Sequence, residues 1–235
     1  MTKIFRKILE WIYPETCIFC GKVCKGGICP KCAGEIVCIE EPCCKKCGKP
    51  VRYEEQEYCH DCSVKHFSYE QGRSLWLHKG LVKHSIYQFK YHNRRVYADV
   101  YVRELVHRYE SVITKWNPDV IIPVPLHKKR RRQRGYNQAE ILAKKLGVSL
   151  AIPVRTDLIK RQRYTDPQKK LDKGQRRTNL KDAFAVTSSL ENIRSVIIVD
   201  DIYTTGSTIN AIAEKLKEKG VQKVWFLTIS IGQGF

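Results

Sequence analysis

The feature that most constrains this chain is a continuous run at residues 196–208, VIIVDDIYTTGST. Four apolar residues lead to Asp200 and Asp201, and a turn rich in hydroxyl groups and glycine follows. An apolar run of this kind predicts a buried strand of a parallel sheet, because both of its faces must be covered. The glycine-containing turn predicts the start of a helix. The run therefore predicts an α/β fold with polar groups at the carboxyl edge of a sheet.

Other segments after residue 68 show the same alternation of apolar strand and helix patterns. Short buried strands separated by helical segments are typical of a parallel sheet covered by crossover helices. We expect strands at residues 120–124, 195–199 and 221–230, helices at 137–146 and 208–219, and a long covering helix at 93–116.

Residues 200–208 have a direct chemical use. Backbone N–H groups at a helix start can surround a phosphate together with hydroxyl groups, and neighbouring carboxylates can hold ribose hydroxyls or a hydrated Mg²⁺. An Asp-Asp pair alone is more often a solvated helix cap, but the strand before it and the turn after it favour a phosphate site. The residues expected to bind the phosphate are Thr204, Thr205, Gly206, Ser207 and Thr208.

All eleven cysteines lie between Cys17 and Cys62. Four thiolates in tetrahedral geometry suit Zn²⁺, and two C-x-x-C pairs can supply them. Disulfides are the main alternative, but we see no secretion signal and the cysteine count is odd. Iron–sulfur ligation also fits such quartets. The four pairs are Cys17/Cys20, Cys29/Cys32, Cys44/Cys47 and Cys59/Cys62.

Sequence order favours one zinc site from the first two pairs and a second site from the last two, with interleaving as the alternative. Cys24, Cys38 and Cys43 remain, and we expect them to be bystanders. Because every ligand would be a protein thiolate, neither metal has an open position for a substrate. We expect both zinc ions to be structural and to stabilise a module too small to fold alone.

The positive charge is unevenly distributed along the chain. The formal net charge is +19, yet basic and acidic residues nearly balance in residues 1–62. The excess is densest in residues 128–134 and 160–181. Such a field attracts polyanions, and nucleic acid is one candidate because neutralised phosphates release counterions. A solvated basic face and a pocket for a phosphorylated ligand are the alternatives.

Apolar residues recur at helical spacing near the start of the chain and predict an amphipathic helix in residues 1–16. This helix can dock on the protein itself or on a membrane. No apolar stretch in the sequence is long enough to span a bilayer, so we expect a cytoplasmic protein. The expected organisation is this helix, a zinc-binding module at residues 17–66 and an α/β domain at residues 67–235.

The run at residues 196–208 resembles the phosphoribosyl pyrophosphate signature of type I phosphoribosyltransferases. Two further segments resemble the pattern of the ComF family, and with the cysteine module the resemblance covers nearly the whole chain. The first segment contains IPVPLH at residues 122–127, Arg131, RGYNQ at residues 134–138, Leu142 and Ala143. The second contains Arg161, Arg163, Thr165, Gln168, Leu171, Arg176 and Asn179.

The resemblance implies a type I phosphoribosyltransferase-like parallel sheet with flanking helices and a double zinc ribbon before it. It implies that Asp200 and Asp201 are the catalytic acids and contact the ribose 2- and 3-hydroxyls, that residues 204–208 hold the 5-phosphate, and that Mg²⁺ accompanies phosphoribosyl pyrophosphate. The turn after Val124 would bind pyrophosphate, and residues 160–179 would close over the ligand. Basic residues expected to meet pyrophosphate or a DNA backbone are Lys128, Arg130, Arg131, Arg134, Arg161, Arg163 and Arg176.

Polar and aromatic residues near these arginines have two interpretations. Gln138, Gln168 and Asn179 can bond to such a ligand or serve as caps and packing residues. Tyr136 and Tyr164 can stack on bases or pack in the protein.

The family resemblance implies a competence protein that supports import of single-stranded DNA in natural transformation. Its expected partners are single-stranded DNA and a helicase-like translocase, which would hold it at the inner face of the membrane. An active phosphoribosyltransferase with an unknown acceptor is an alternative, although residues 229–235 offer only Phe235 as a base-stacking residue. A non-catalytic nucleotide-binding regulator with the same fold is another.

Overall fold

The structure is a computed structural model, of which we describe residues 14–162 and 183–233. The helix expected at residues 1–16 and the loop expected at residues 160–179 lie largely outside this part of the chain. The described elements are, in order, α1 (Pro30–Glu35), α2 (His60–Val64), β1 (Gln71–Leu77), α3 (Gly80–Tyr91), α4 (Tyr97–Trp116), β2 (Val120–Pro123), α5 (Lys128–Arg134), α6 (Gln138–Leu150), β3 (Ile159–Arg161), β4 (Phe184–Val186), β5 (Ser195–Tyr203), α7 (Ser207–Lys217) and β6 (Lys223–Ile231).

A four-stranded parallel sheet lies at the centre of the α/β part, with the strand order β1-β6-β5-β2. The two central strands are buried on both faces, which explains their nearly continuous apolar sequences. Because the strands are parallel, their carboxyl ends meet at one edge of the sheet. The last residues of the four strands at this edge are Leu77, Ile231, Tyr203 and Pro123. Strands β3 and β4 form a separate antiparallel pair.

Alternate residues of β5 pack into different hydrophobic clusters on the two faces of the sheet. Val196 and Ile198 join Ile212 and Leu216 of α7 on one face. Ile197 and Val199 belong to the other face, where helices α4 and α6 contribute Tyr101, Leu105, Leu142 and Leu146. The sheet therefore has helices on both sides, as the α/β pattern predicted.

The cysteine module packs directly on the sheet. Leu77 donates its N–H to the carbonyl of Val37 at 2.9 Å, and Ile39 donates to the carbonyl of Leu75 at 3.0 Å. Cys38 forms an antiparallel bridge to Trp76. These bonds cover the outer edge of β1, which would otherwise expose unpaired backbone groups.

The predicted strands and helices are confirmed, with ends that shift by up to four residues. Strand β5 continues past Val199 to Tyr203, because Asp200 stays in register with Thr228 and Ile202 with Ser230 on β6. Helix α4 begins at Tyr97 rather than near Asn93, which has a φ of 53°. The segment expected as a pyrophosphate loop after Val124 forms helix α5 from Lys128 onward. No helix among the described residues is long and apolar enough to cross a lipid bilayer.

Candidate functional site

Two groups of four cysteines bring their sulfur atoms together, each within 4.8 Å. The groups follow sequence order, so the interleaved alternative is wrong. Their members are Cys17, Cys20, Cys29 and Cys32 in the first site, and Cys44, Cys47, Cys59 and Cys62 in the second. Cys24, Cys38 and Cys43 belong to neither group among the described residues.

The sulfur spacing fits tetrahedral zinc. The Sγ atoms of Cys20 and Cys29 are 3.7 Å apart, and those of Cys47 and Cys59 are 3.6 Å apart. Four thiolates bound to Zn²⁺ at about 2.3 Å have an S···S spacing of about 3.8 Å. With four protein ligands each ion is coordinatively closed, which is the arrangement of a structural site.

The acidic pair lies inside the last part of β5, at the carboxyl edge of the sheet. The backbone N–H of Asp201 donates to Oδ1 of Asp200 at 2.8 Å. Nζ of Lys90, near the end of α3, lies 2.8 Å from Oδ1 of Asp201, and their side chains are only 16% and 9% exposed. The site therefore combines two neighbouring carboxylates with one cation that no sequence motif indicated.

The environment of Asp200 disfavours its charged form. Burial raises the pKa of Asp200 to about 7, the charge of Asp201 adds to the rise, and the ammonium of Lys90 opposes it. A raised pKa of this kind is common at binding and catalytic sites, because a neutral carboxyl can donate a hydrogen bond and a charged one can only accept.

The turn after β5 leads into helix α7 through Gly206, which has a φ of 76°. A Cβ atom at this position would lie 2.4 Å from the hydroxyl oxygen of Tyr203, so both conformation and space require glycine. The hydroxyl oxygens of Thr205 and Ser207 are 2.9 Å apart across the turn.

The start of helix α7 is open to a ligand. No side chain of the described residues caps it, and no acidic residue lies in its first turn. Thr204 and Thr205 are exposed, and Ser207 and Thr208 are half-buried. Backbone donors, hydroxyl groups and the positive helix end therefore meet at one place, which is the chemistry of an anion site.

Helix α5 contains most of the predicted basic residues of the site. Lys128 and Arg131 are exposed, and Arg130 is half-buried. Arg131 lies 3.4 Å from a carboxylate oxygen of Glu140. Arg134 donates to Oε1 of Gln138 and to the hydroxyl of Tyr91, both at 3.0 Å. The helix thus presents a basic surface beside the carboxyl edge of β2.

The remaining predicted basic residues are distributed between β3 and a segment that is not described. Arg161 is the last residue of β3, with its guanidinium 5.4 Å from the centre of the Phe184 ring. Its charge lowers the pKa of Asp200, although less than burial raises it. Arg163 and Arg176 lie outside the described residues, as do Tyr164, Gln168, Asn179 and Phe235.

Two residues that the sequence left open have packing roles. Tyr136 is buried, stacks beneath the guanidinium of Arg95 and donates its hydroxyl to the carbonyl of Phe89. Gln138 is buried and accepts from Arg134. Of the two interpretations for Tyr136, packing is the one that the structure supports.

Sequence reasoning missed Lys90. One signal could have revealed it: Lys90 follows Ile86 and Phe89 on α3, both of which are buried. A lysine this close to the buried face of a helix needs a partner, since an unpaired buried charge is costly. The partner itself, Asp201, could not be inferred without the fold.

Comparison with known proteins agrees with this architecture. Residues 8–63 match the double zinc ribbon domain family, and residues 102–230 match the phosphoribosyl transferase domain family. The fold and the metal sites thus define a phosphoribosyltransferase-domain protein with an attached double zinc ribbon.

Similarity to whole proteins extends across both parts of the chain. Competence protein F of Haemophilus influenzae is 32% identical over 222 residues, which cover 88% of this chain and 93% of that protein. Competence protein ComFC of Bacillus subtilis is 28% identical, with 82% and 79% covered. DNA utilization protein YhgH of Escherichia coli O157:H7 is 31% identical, with 86% and 89% covered. The chain belongs to the competence protein F family, which confirms the resemblance.

Proposed function

We propose that this chain supports the import and use of single-stranded DNA, and that it binds phosphoribosyl pyrophosphate or a related sugar phosphate at residues 200–208. One observation carries the proposal: the acidic pair and the uncapped start of α7 lie on either side of a single short turn. The names of the relatives, competence and DNA utilization proteins, support the DNA role.

In the proposed complex, the turn residues Thr204 to Thr208 hold the 5-phosphate. Their backbone N–H groups and hydroxyls supply neutral donors, and the helix end supplies partial positive charge. Asp200 and Asp201 accept hydrogen bonds from the ribose hydroxyls. Mg²⁺ would arrive with the diphosphate and neutralise part of its charge.

Lys90 has a positioning role in this proposal. Its bond to Asp201 holds that carboxylate in position at the carboxyl edge of the sheet. It also limits the mutual repulsion of Asp200 and Asp201 when both carboxylates are ionised. A magnesium-bound ligand with hydroxyl donors requires both carboxylates in this ionised form.

In this proposal, the basic surface of α5 binds single-stranded DNA. Single-stranded DNA binds to such surfaces mainly through its phosphates, so its affinity falls as salt rises. A helicase-like translocase is the proposed protein partner, and through it the chain would work at the inner face of the membrane.

The ligand site can be tested by titration calorimetry with phosphoribosyl pyrophosphate and Mg²⁺. We expect binding that Asp201→Asn weakens at least about tenfold, because a charge-assisted hydrogen bond is lost. Glu218→Gln, an exposed acid at the far end of α7, is the matched control and should bind normally. Absence of magnesium-dependent binding by the wild type would contradict the site.

The DNA surface can be tested by fluorescence anisotropy with a labelled single strand over a series of salt concentrations. The test variant replaces Arg130, Arg131 and Arg132 with Gln, and the control replaces Arg194, Lys219 and Lys223, which lie near the opposite edge of the sheet. Both variants lose the same charge.

We expect the test variant to bind more weakly and to reduce the slope of log affinity against log salt by about 0.7 for each DNA phosphate that no longer meets a cationic side chain. The control should retain the wild-type slope. Equal losses in the two variants would show that net charge, and not this surface, determines binding.

A further inference from the structure

A cavity of about 440 Å³ opens at the carboxyl edge of the sheet, beside the acidic pair. Its wall includes Lys90, which bonds to Asp201, and Ile202, the next residue of β5. Helix α3 provides most of the remaining wall. The cavity is therefore adjacent to the proposed sugar-phosphate site but is not made by the phosphate turn.

Two tyrosines of α3 form an aromatic surface in this cavity, which we call the tyrosine platform (Tyr87 and Tyr91). They lie four residues apart and so share one face of the helix. Their ring centres are 5.0 Å apart, with an angle of 45° between the planes. Tyr87 is 52% exposed and Tyr91 48% exposed, whereas Tyr101 and Tyr109 on α4 are buried.

Tyr91 of the tyrosine platform is held in place by the basic helix α5. Arg134 donates to the hydroxyl of Tyr91, and its guanidinium carbon lies 4.9 Å from the centre of the same ring. Gln138 fixes Arg134 from the other side. An aromatic ring oriented in advance loses little conformational entropy when a flat ligand stacks on it.

The polar residues around the tyrosine platform are cationic or neutral. Lys83, His84 and Lys90 line the cavity with the tyrosines, no acid is among the described residues that line it, and Lys90 is bonded to Asp201. His78 also faces the cavity, and burial together with the charge of Lys90 lowers its pKa. An apolar protein helix would not match this lining, whereas a base with an attached phosphate matches both the rings and the cations.

We propose that the tyrosine platform stacks a nucleobase of single-stranded DNA, with the flanking phosphates near Lys83 and helix α5. This inference rests on the proposed DNA-binding function and gives it a location. It places one base next to the sugar-phosphate site, so that both ligands would meet at the same sheet edge.

The test compares two labelled single strands of equal length, an oligothymidylate and a fully abasic oligonucleotide. Both carry the same phosphates, so only the first can report stacking. Tyr87→Leu removes the ring at an exposed position, and Tyr87→Phe retains it. Tyr53→Leu, at an exposed tyrosine of the cysteine module, is the matched control.

We expect the wild type to bind the oligothymidylate more tightly, and Tyr87→Leu to reduce this affinity about tenfold, the effect of losing one stacked base. Tyr87→Phe and Tyr53→Leu should bind like the wild type, and binding of the abasic strand should be the same in all variants. Equal binding of both strands by the wild type would overturn the stacking site while leaving DNA binding intact.

Two other outcomes would also overturn it. If Tyr87→Leu weakens the binding of both strands equally, Tyr87 contributes to the structure of the protein and does not stack on a base. If thymidine monophosphate displaces the oligothymidylate at comparable concentration, the cavity belongs to a free nucleotide. Failure of the wild type to bind either strand would refute the DNA-binding function as well.

Discussion

Lys90 of α3 and Asp201 of β5 form an ion pair with 2.8 Å between Nζ and Oδ1, and little of either side chain reaches solvent. Asp200 lies next to it and bonds to the backbone of Asp201. A cation from a different element thus stabilises a carboxylate at the position where the proposed ligand needs negative charge.

Replacing Lys90 with Met should destabilise the protein. Removing one partner of a fully buried pair costs about 3–5 kcal/mol, and the residual exposure of Lys90 reduces the expected loss to about 1–3 kcal/mol. The loss should be larger at pH 8 than at pH 5, because Asp200, with a pKa of about 7, is ionised at pH 8 and then also needs the counter-charge. Urea unfolding at both pH values measures it. Lys83→Met, on the same helix but exposed, is the control; equal stability of the two variants would contradict the role of the pair.

Replacing Gly206 with Ala should cost more than the same change at Gly220. Both glycines have positive φ, 76° and 96°, so each alanine costs roughly 1–2 kcal/mol in backbone strain. Only at Gly206 would the new Cβ meet Tyr203, whose hydroxyl lies 2.7 Å from that of Tyr69 in the core.

We expect about 1–3 kcal/mol of additional destabilisation in Gly206→Ala, typical of overpacking. The same variant should weaken phosphoribosyl pyrophosphate binding. Urea unfolding and calorimetry measure the two effects. Similar unfolding free energies for both alanine variants would show that Tyr203 can move aside without cost.

Asp200 should make the free energy of unfolding depend on pH. Its pKa is about 7 in the folded protein and about 3.9 when unfolded. Between these values the folded state binds one more proton than the unfolded state, so this contribution to stability is fully present below about pH 4 and is lost as pH rises through about 7.

Asp200→Asn should remove this dependence in the ligand-free protein. The variant should therefore gain stability relative to the wild type as pH rises from 4 to 8, and the difference should level off above about pH 8. Thermal unfolding across this range, without Mg²⁺, provides the measurement. Parallel pH profiles of the two proteins would show that Asp200 is ionised in the folded state.

Loss of the second zinc site should be more damaging than loss of the first. Cys47 is fully buried and belongs to the same hydrophobic cluster as Tyr203 and Phe226, whereas Cys20 is exposed. Cys47→Ser and Cys20→Ser should each release one of two bound zinc ions, because three thiolates bind Zn²⁺ more weakly than four.

A zinc-release assay combined with thermal unfolding tests this difference. We expect the larger decrease in Tm for Cys47→Ser, since Cys47 is buried in the hydrophobic cluster that contains Tyr203 and Phe226, whereas Cys20 is exposed. An equal decrease in both variants would show that the two sites contribute alike, and two zinc ions retained by either variant would contradict the ligand assignment.

The sequence determined the local features of this protein. The C-x-x-C pairs predict two four-cysteine zinc sites, and the strand, turn and helix around Asp200 follow from an apolar run and one glycine. The assignment of the pairs to the two sites needed the structure. These features depend on neighbours along the chain. Their geometry is therefore visible in residue type and order alone.

Only the tertiary structure decided which distant residues meet. The strand order β1-β6-β5-β2 lets the helix after β1 reach the end of β5, which brings Lys90 to Asp201 and the tyrosine platform beside them. It also packs one zinc site against each face of the sheet, through Cys17 and Cys44. No local pattern contains this information, because such contacts depend on how strands far apart in sequence pair and on which face each helix covers.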